Sequence, residues 1–138
     1  MKSIEKPSKI FPMKKAIATS EAPQARGPYS QAISAGDYLF VAGQIPIDPK
    51  TGQLIEGEIE ALTIRVLDNI EAILKAAGLS LKHVVKTDVF LRDLNDFNRM
   101  NQVYATRFSE PLPARVTIQA AKLPLDCRIE ISCIAYKH

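Results

Sequence analysis

Cysteine and histidine are scarce in this chain of 138 residues, which contains two of each. Cys127 and Cys133 are separated by five residues, and this is not the spacing of a redox pair or a zinc knuckle. A four-ligand zinc site made of cysteine and histidine would need all four residues, including the final His138. We therefore expect no structural metal, two reduced thiols of the kind found in cytosolic proteins, and a Cys133 that is buried rather than nucleophilic.

The chain also lacks long apolar runs and the short motifs of several enzyme classes. No run approaches the roughly 20 residues that cross a bilayer, and the N-terminus has no apolar core of a secretory signal. The sequence has no phosphate-binding loop, dinucleotide fingerprint, paired-histidine helix or nucleophile elbow. We predict a cytoplasmic protein without membrane contact, and its chemistry has to be inferred from the predicted strands.

Excess positive charge is confined to one end of the sequence. The formal net charge is +3, but residues 1–15 contain five lysines against Glu5, and residues 16–138 contain 13 basic and 14 acidic side chains. The neutral body gives no support for a folded nucleic-acid-binding surface. We interpret residues 1–15 as a disordered extension, with Met13 as an alternative start, and residues 16–138 as one domain.

Periodic apolar residues predict two helices. Between Glu58 and Ala77 they recur with the 3.6-residue period of a helix, glutamates stand at its start, and Gly78 follows its end. A second helix is predicted from Asn95, as the N-cap, to about Phe108.

Alternating apolar and polar residues predict strands around these helices. The predicted strands are 31–35, 38–42, 84–91, 114–121 and 128–136, preceded by a short apolar piece at 16–19. A type II′ turn at Gly36-Asp37 joins the first pair, and residues 47–52 have the composition of a chain reversal. Two helices suffice for one face of a mixed sheet, so we predict a two-layer α+β sandwich. Its bare face implies burial in an oligomer.

Two charged residues stand out on the last two strands. Alternation places Arg115, Thr117 and Gln119 on one side of their strand, and places Glu130 opposite the apolar side of the next. These charges are solvated, or form a structural ion pair, or belong to a site. An arginine fork binds carboxylates, and a glutamate transfers a proton or orients a water. The strand pattern does not choose among the three alternatives.

Five further blocks of the sequence are distinctive when taken together: ARGPYSQA (25–32), VAGQIP (41–46), DLNDF (93–97), PAR (113–115) and LPLDCRIEI (123–131). In their order and spacing they resemble the RidA/YjgF family of reactive-intermediate deaminases. The resemblance implies a chorismate-mutase-like fold assembled as a homotrimer, with active sites between subunits. It also implies cofactor-free hydrolysis of enamines and imines such as 2-aminoacrylate to 2-oxo acids and ammonia, as in a 2-iminobutanoate/2-iminopropanoate deaminase.

The resemblance assigns roles to individual residues as well. Arg115 matches the family's carboxylate-binding arginine, and Glu130 matches the acid that works with a water at the imine carbon. Tyr29 and Gly43 match residues that line the cleft, and Asn101 matches an asparagine supplied by a helix of the neighbouring subunit. Without the resemblance, Tyr29 is equally an aromatic packed over a turn, Gly43 a bulge, and Asn101 a bridge at a subunit interface.

Two positions depart from the family pattern. Thr117 stands where a cysteine is common, which argues against a thiol nucleophile and leaves a hydroxyl to hydrogen-bond the substrate. Ala42 stands where a serine is common, so one side-chain donor is lost. A trimer that binds small carboxylates without turnover is therefore a second hypothesis. An endoribonuclease or translation inhibitor is a third, which the neutral body does not favour.

Overall fold

The structure, a computed structural model, describes residues 13–138. Most of the predicted extension, residues 1–12, lies outside the described residues, and the first strand begins at Lys15, one residue before the predicted domain boundary. The strands are β1 (Lys15–Ile17), β2 (Ala32–Ala35), β3 (Tyr38–Gln44), β4 (Ile47–Asp48), β5 (Gln53–Leu54), β6 (Val84–Leu91), β7 (Ala114–Gln119) and β8 (Ile129–Tyr136). The helices are α1 (Ile59–Ala76) and α2 (Phe97–Arg107).

Six strands form one mixed sheet in the order β1-β2-β3-β8-β6-β7. All neighbours are antiparallel except β6 and β7, which are parallel because α2 carries the chain back between them. Helix α1 packs on β3 and β8, and α2 packs beside α1 on the same face. The fold is therefore the predicted two-layer α+β sandwich with both helices on one side.

Glycine conformation confirms two of the predicted boundaries. Ala35 pairs with Tyr38 across the Gly36-Asp37 loop, and Gly36 has φ of +59° while Asp37 does not have a positive φ, as a type II′ turn requires. Gly78 has φ of +79°, and its N–H donates to the carbonyl of Lys75 as α1 ends.

The predicted N-cap of the second helix is wrong by two residues. Asp93, rather than Asn95, is the capping side chain, since its carboxylate accepts the N–H of Asn95 at 2.9 Å. That cap begins a short 3₁₀ turn over Leu94–Asp96, and the α-helix starts only at Phe97. Aspartate and asparagine are equally good N-cap acceptors, and both occur in this polar stretch, so the sequence pattern does not distinguish Asp93 from Asn95.

The sheet buries one face and exposes the other. Large side chains of α1 pack with alternate residues of β8, such as Ile129 and Ile131, which are fully buried. On the face away from the helices, here called the open face, Tyr38, Phe40, Val116 and Ile118 each keep 44% or 45% of their surface exposed. The bare face expected from the helix count is present, and its burial in an oligomer stays a prediction. Neither helix of residues 13–138 is long and apolar enough to cross a membrane.

Candidate functional site

Arg115 and Glu130 lie on opposite faces of the sheet. Arg115 pairs with Thr87, a buried residue that faces the helices, whereas Glu130 pairs with Phe90 on the open face. Each strand alternates as the sequence predicts, but the two charges do not meet within one chain. Their surroundings therefore form two separate groups of residues.

Glu130 lines a cavity of about 520 Å³ at the end of β3 and β8, here called the Glu130 cavity. The register of β3 against β8 shifts between Val41 and Gln44, which brings the backbone of Gly43 under the glutamate. A Cβ on Gly43 would lie 2.0 Å from Oε2 of Glu130 and 2.9 Å from its Cδ. Gly43 is needed here for space rather than for backbone freedom, since the carboxylate occupies the position of a side chain.

The carboxylate of Glu130 is half-buried, which affects its pKa. Removal from water disfavours its charged form, so burial raises its pKa above the ordinary value of 4.5. No salt bridge to Glu130 forms within residues 13–138. A carboxylate with a raised pKa is a stronger base and holds a proton nearer to neutral pH, which suits proton transfer.

Tyr29 and Arg26 line the same cavity. The Tyr29 ring is about half exposed, and its hydroxyl accepts the N–H of Arg26 at 3.3 Å. The Arg26 guanidinium donates to the carbonyl of Gly52 and so fastens the β4–β5 turn to this wall. The structure thus brings Tyr29, Gly43 and Glu130 together, as the resemblance implies. Sequence reasoning gave Arg26 no role, although it stands beside Gly27 in the matched block.

Gln31 also lines the cavity, and sequence reasoning missed its role. Its buried side chain accepts the N–H of Thr19 at 2.7 Å and donates to the carbonyls of Thr19 at 3.1 Å and Pro23 at 2.7 Å. These bonds fix the irregular segment 19–23 against β2. A glutamine inside an apolar strand was the available signal, because a buried amide needs several partners.

A turn before β8 completes the cavity with Pro124 and Leu125. Leu125 and Asp126 have φ of 56° and 55°, in the left-handed region that non-glycine residues rarely adopt. Nη1 of Arg92 donates to the Asp126 carbonyl at 2.8 Å and pairs with its carboxylate at 3.2 Å. Leucine gives no sequence signal for a left-handed residue, whereas Asp126 is of a residue type that adopts this region more readily.

Arg115 belongs to the second group, between α2 and β7. Its guanidinium carbon lies 4.7 Å from the ring centre of Tyr104 and 5.5 Å from that of Phe97. Tyr104 is itself fixed by a hydrogen bond of 2.7 Å to the Thr87 hydroxyl, and burial raises its pKa. Within residues 13–138 Arg115 has no salt bridge. The planar cation is thus held by aromatic faces while its N–H donors stay open to an anion.

Asn101 and Thr117 flank the arginine. Asn101 lies one turn from both aromatic residues on α2, and Thr117 is two residues beyond Arg115 on the same side of β7. The Asn101 Oδ1 and Thr117 Oγ1 atoms are buried and have no hydrogen-bond partner within residues 13–138. Buried polar atoms are rarely left unpaired, so this group is incomplete as it stands. We call Phe97, Asn101, Tyr104, Arg115 and Thr117 the Arg115 seam.

The thiols and imidazoles lie elsewhere. Cys127 and Cys133 are both buried, and loss of hydration raises the pKa of Cys127 to about 11 and that of Cys133 to about 12. His83 bonds with Ser80, and His138 pairs with Asp37, outside the Glu130 cavity. In the described part of the chain no three histidine, cysteine, aspartate or glutamate residues cluster as metal ligands.

Comparison with known proteins finds relatives that match nearly the whole length of this chain. A family model described as Endoribonuclease L-PSP matches residues 19–137. A RutC family protein of Pyrococcus horikoshii is 58% identical over 91% of this chain and 99% of its own length. The 2-iminobutanoate/2-iminopropanoate deaminase of Escherichia coli is 44% identical over 91% of this chain and 99% of its own. The crystal structure of E. coli TdcF with bound serine has a TM-score of 0.84 and 39% identity, covering 90% of this chain and 99% of that one.

Proposed function

Because this chain belongs to the RidA/YjgF family, we propose that it hydrolyses imines of 2-oxo acids, such as 2-iminopropanoate formed from 2-aminoacrylate, to the 2-oxo acid and ammonia. The observation that carries the proposal is Arg115, a half-buried cation held on two aromatic rings without a carboxylate partner in residues 13–138. A substrate carboxylate supplies the missing anion. Relatives named as imine deaminases support the same chemistry.

A complete site needs two copies of the chain. The Arg115 seam and the Glu130 cavity lie on opposite faces of one sheet, so the seam of one copy has to meet the cavity of another. Such a contact joins two different surfaces, and contacts of this kind form a ring when the rotation between copies closes on itself. The exposed apolar side chains of the open face are available for burial in the same assembly. We take the ring to be the homotrimer that the family resemblance implies.

The Arg115 seam and the Glu130 cavity then have different roles in the reaction. Arg115 binds the substrate carboxylate through two parallel N–H donors, and the Thr117 hydroxyl, which lacks a partner in the described chain, is available to donate as well. Glu130 of the other copy accepts a proton from water as the water oxygen bonds to the imine carbon. That proton then passes to nitrogen, which gives a carbinolamine with one hydroxyl and one amino group on the carbon. Glu130 next moves the hydroxyl proton of this intermediate to nitrogen as well, the carbon–nitrogen bond breaks, and ammonia leaves as the carbonyl forms. Placement of the reactants is most of the catalysis, because the imine is already unstable in water.

The first test is release of ammonia or pyruvate from 2-aminoacrylate generated by a serine dehydratase. We expect acceleration by the wild type and a loss of about a hundredfold or more in Arg115→Ala, with the oligomer retained on size-exclusion chromatography. Ile64→Gln, on the exposed side of α1, is the matched control and should keep full activity. An Arg115→Ala enzyme with normal kcat/KM would remove the anchor and with it the proposal.

Mixed oligomers test whether the site is shared. Arg115→Ala and Glu130→Gln chains, co-expressed in equal amounts, should recover about one quarter of wild-type activity, because about one site in four then combines an intact arginine with an intact glutamate. Each variant alone should be nearly inactive. Failure to recover activity in verified mixed oligomers would show that both residues act from one chain, and an active single variant would show that its residue is not needed.

A carboxylate-binding protein without turnover is the second candidate, and Thr117 in place of the common cysteine favours it. Titration with pyruvate, followed by NMR or calorimetry, separates the two. Binding that depends on Arg115, with no acceleration of imine hydrolysis, would establish this second function instead.

A further inference from the structure

The turn before β8 exposes the side chain of Leu125 on an unusual backbone conformation. Leu125 lines the Glu130 cavity with 63% of its surface exposed, and its backbone has φ of 56°. A left-handed backbone is unfavourable for leucine, and a largely exposed isobutyl group gains little from burial in the isolated chain. Strained backbone of this kind is concentrated at functional sites, where the surrounding structure holds it in place.

The surrounding bonds do hold this turn. The N–H of Asp126 donates to the carbonyl of Leu123 at 3.0 Å, and the N–H of Cys127 donates to that of Pro124 at 3.1 Å. Arg92 adds its two contacts with Asp126 from the end of β6. These bonds therefore fix the backbone that carries the Leu125 side chain at the edge of the cavity.

The other lining residues indicate what the leucine meets. Within residues 13–138, Glu130 is the only carboxylate that lines the cavity, and its other polar lining residues are Tyr29, Arg26 and three glutamines, Gln24, Gln31 and Gln44. Ala42, Ile45, Ile47 and Pro124 supply apolar surface next to Leu125. With the substrate carboxylate on Arg115 of another copy and the reacting carbon at Glu130, the part of the substrate left to fill this space is its own side chain. An apolar wall discriminates by the number of methylene groups that it removes from water.

We propose that Leu125 is the specificity-determining residue that contacts the substrate's side chain and favours aliphatic groups longer than methyl. This inference rests on the proposed function for the position of the reacting carbon. Leu125 is not a catalytic residue, since its side chain has no group that transfers a proton. It selects among substrates by contact.

The kinetic test compares imines generated in situ from leucine and from alanine by an L-amino-acid oxidase. Leu125→Asn keeps the approximate size and suits a left-handed backbone, but it removes the apolar surface. We expect kcat/KM for the leucine-derived imine to fall about tenfold, while the value for the alanine-derived imine changes by less than about twofold. Leu125→Gly, which also relieves the backbone, should give the same selectivity, and Ile64→Gln should leave both values unchanged. Equal losses on both imines would overturn the inference.

A binding measurement separates this inference from the proposed function. Wild type should bind 4-methyl-2-oxopentanoate about tenfold more tightly than pyruvate, and Leu125→Asn should abolish that difference. A wild type that shows this preference but hydrolyses no imine refutes the deaminase and supports the role of Leu125. A wild type with no preference for the longer acid, or a preference that survives in both Leu125 variants, overturns it.

Discussion

Gly43→Ala is expected to inactivate the protein without changing any group that takes part in the chemistry. The new Cβ would lie 2.0 Å from Oε2 of Glu130, whereas ordinary contact begins at 3.4 Å, so the carboxylate oxygen has to move by at least 1.4 Å, the difference between them. A displacement of about 1 Å at a reacting group costs on the order of a hundredfold in rate. We therefore expect kcat/KM for imine hydrolysis to fall about a hundredfold, equivalent to about 2.7 kcal/mol of transition-state stabilisation.

The same substitution should hardly affect folding. The clashing atoms belong to the end of a half-exposed, flexible side chain, and the φ of Gly43 is not one that excludes alanine. Restricting the unfolded chain favours alanine by about 0.4–1 kcal/mol, so the free energy of unfolding in urea should change by less than about 1 kcal/mol. Gly27→Ala is the matched control, since its Cβ would meet the Tyr29 ring at 3.4 Å, an ordinary contact. Full activity in Gly43→Ala would refute the requirement for a carboxylate in this position.

Four further outcomes follow from the geometry. Arg115→Lys keeps the charge but loses the planar fork, so kcat/KM should fall at least about tenfold, chiefly through a higher KM in steady-state assays. Thr117→Val replaces a buried hydroxyl that has no partner in the described chain, so urea unfolding should show a gain of about 1 kcal/mol, with a rate loss far smaller than that of Arg115→Ala. Burial raises the folded-state pKa of Glu130, so the free energy of unfolding of the wild type should decrease as pH rises from about 4.5 through that pKa. Over the same pH range kcat/KM should increase, because the carboxylate becomes available as a base. Glu130→Gln, measured in parallel pH series, should show neither trend. Cys127 and Cys133, with pKa values raised to about 11 and about 12, should react with a disulfide reagent only after unfolding.

The elements of this fold could be predicted because each has a strong local pattern. The apolar period across 59–76 and the alternation across 84–91 are set by burial of one face, and the structure has both elements at nearly the predicted bounds. The site could be predicted only in parts. Alternation gives the two sides of a strand, but which side the helices cover depends on the register between neighbouring strands. Arg115 pairs with Thr87 and Glu130 with Phe90, and these two residues of β6 point to opposite faces, which no single strand pattern reveals.

Other features depend on contacts between distant segments. Leu125 adopts its left-handed backbone because Arg92 and neighbouring carbonyls hold the turn, although leucine itself disfavours that conformation. Asp93 rather than Asn95 provides the capping carboxylate, and the two side chains are equivalent acceptors by residue type. Motif resemblance, by contrast, located Tyr29 and Gly43 beside Glu130, because the matched blocks carry information on tertiary contacts that periodicity does not contain.

In the homotrimer proposed above, the open face would link the stability of the folded chain to its concentration. Aromatic and branched side chains that remain 44–45% exposed in one copy would then be buried by another copy. Folding and association would form a single equilibrium, so that melting temperature should rise with protein concentration and dilution alone should promote unfolding. A cell that makes little of this protein would hold it at lower stability than a cell that makes much, with no change in its sequence.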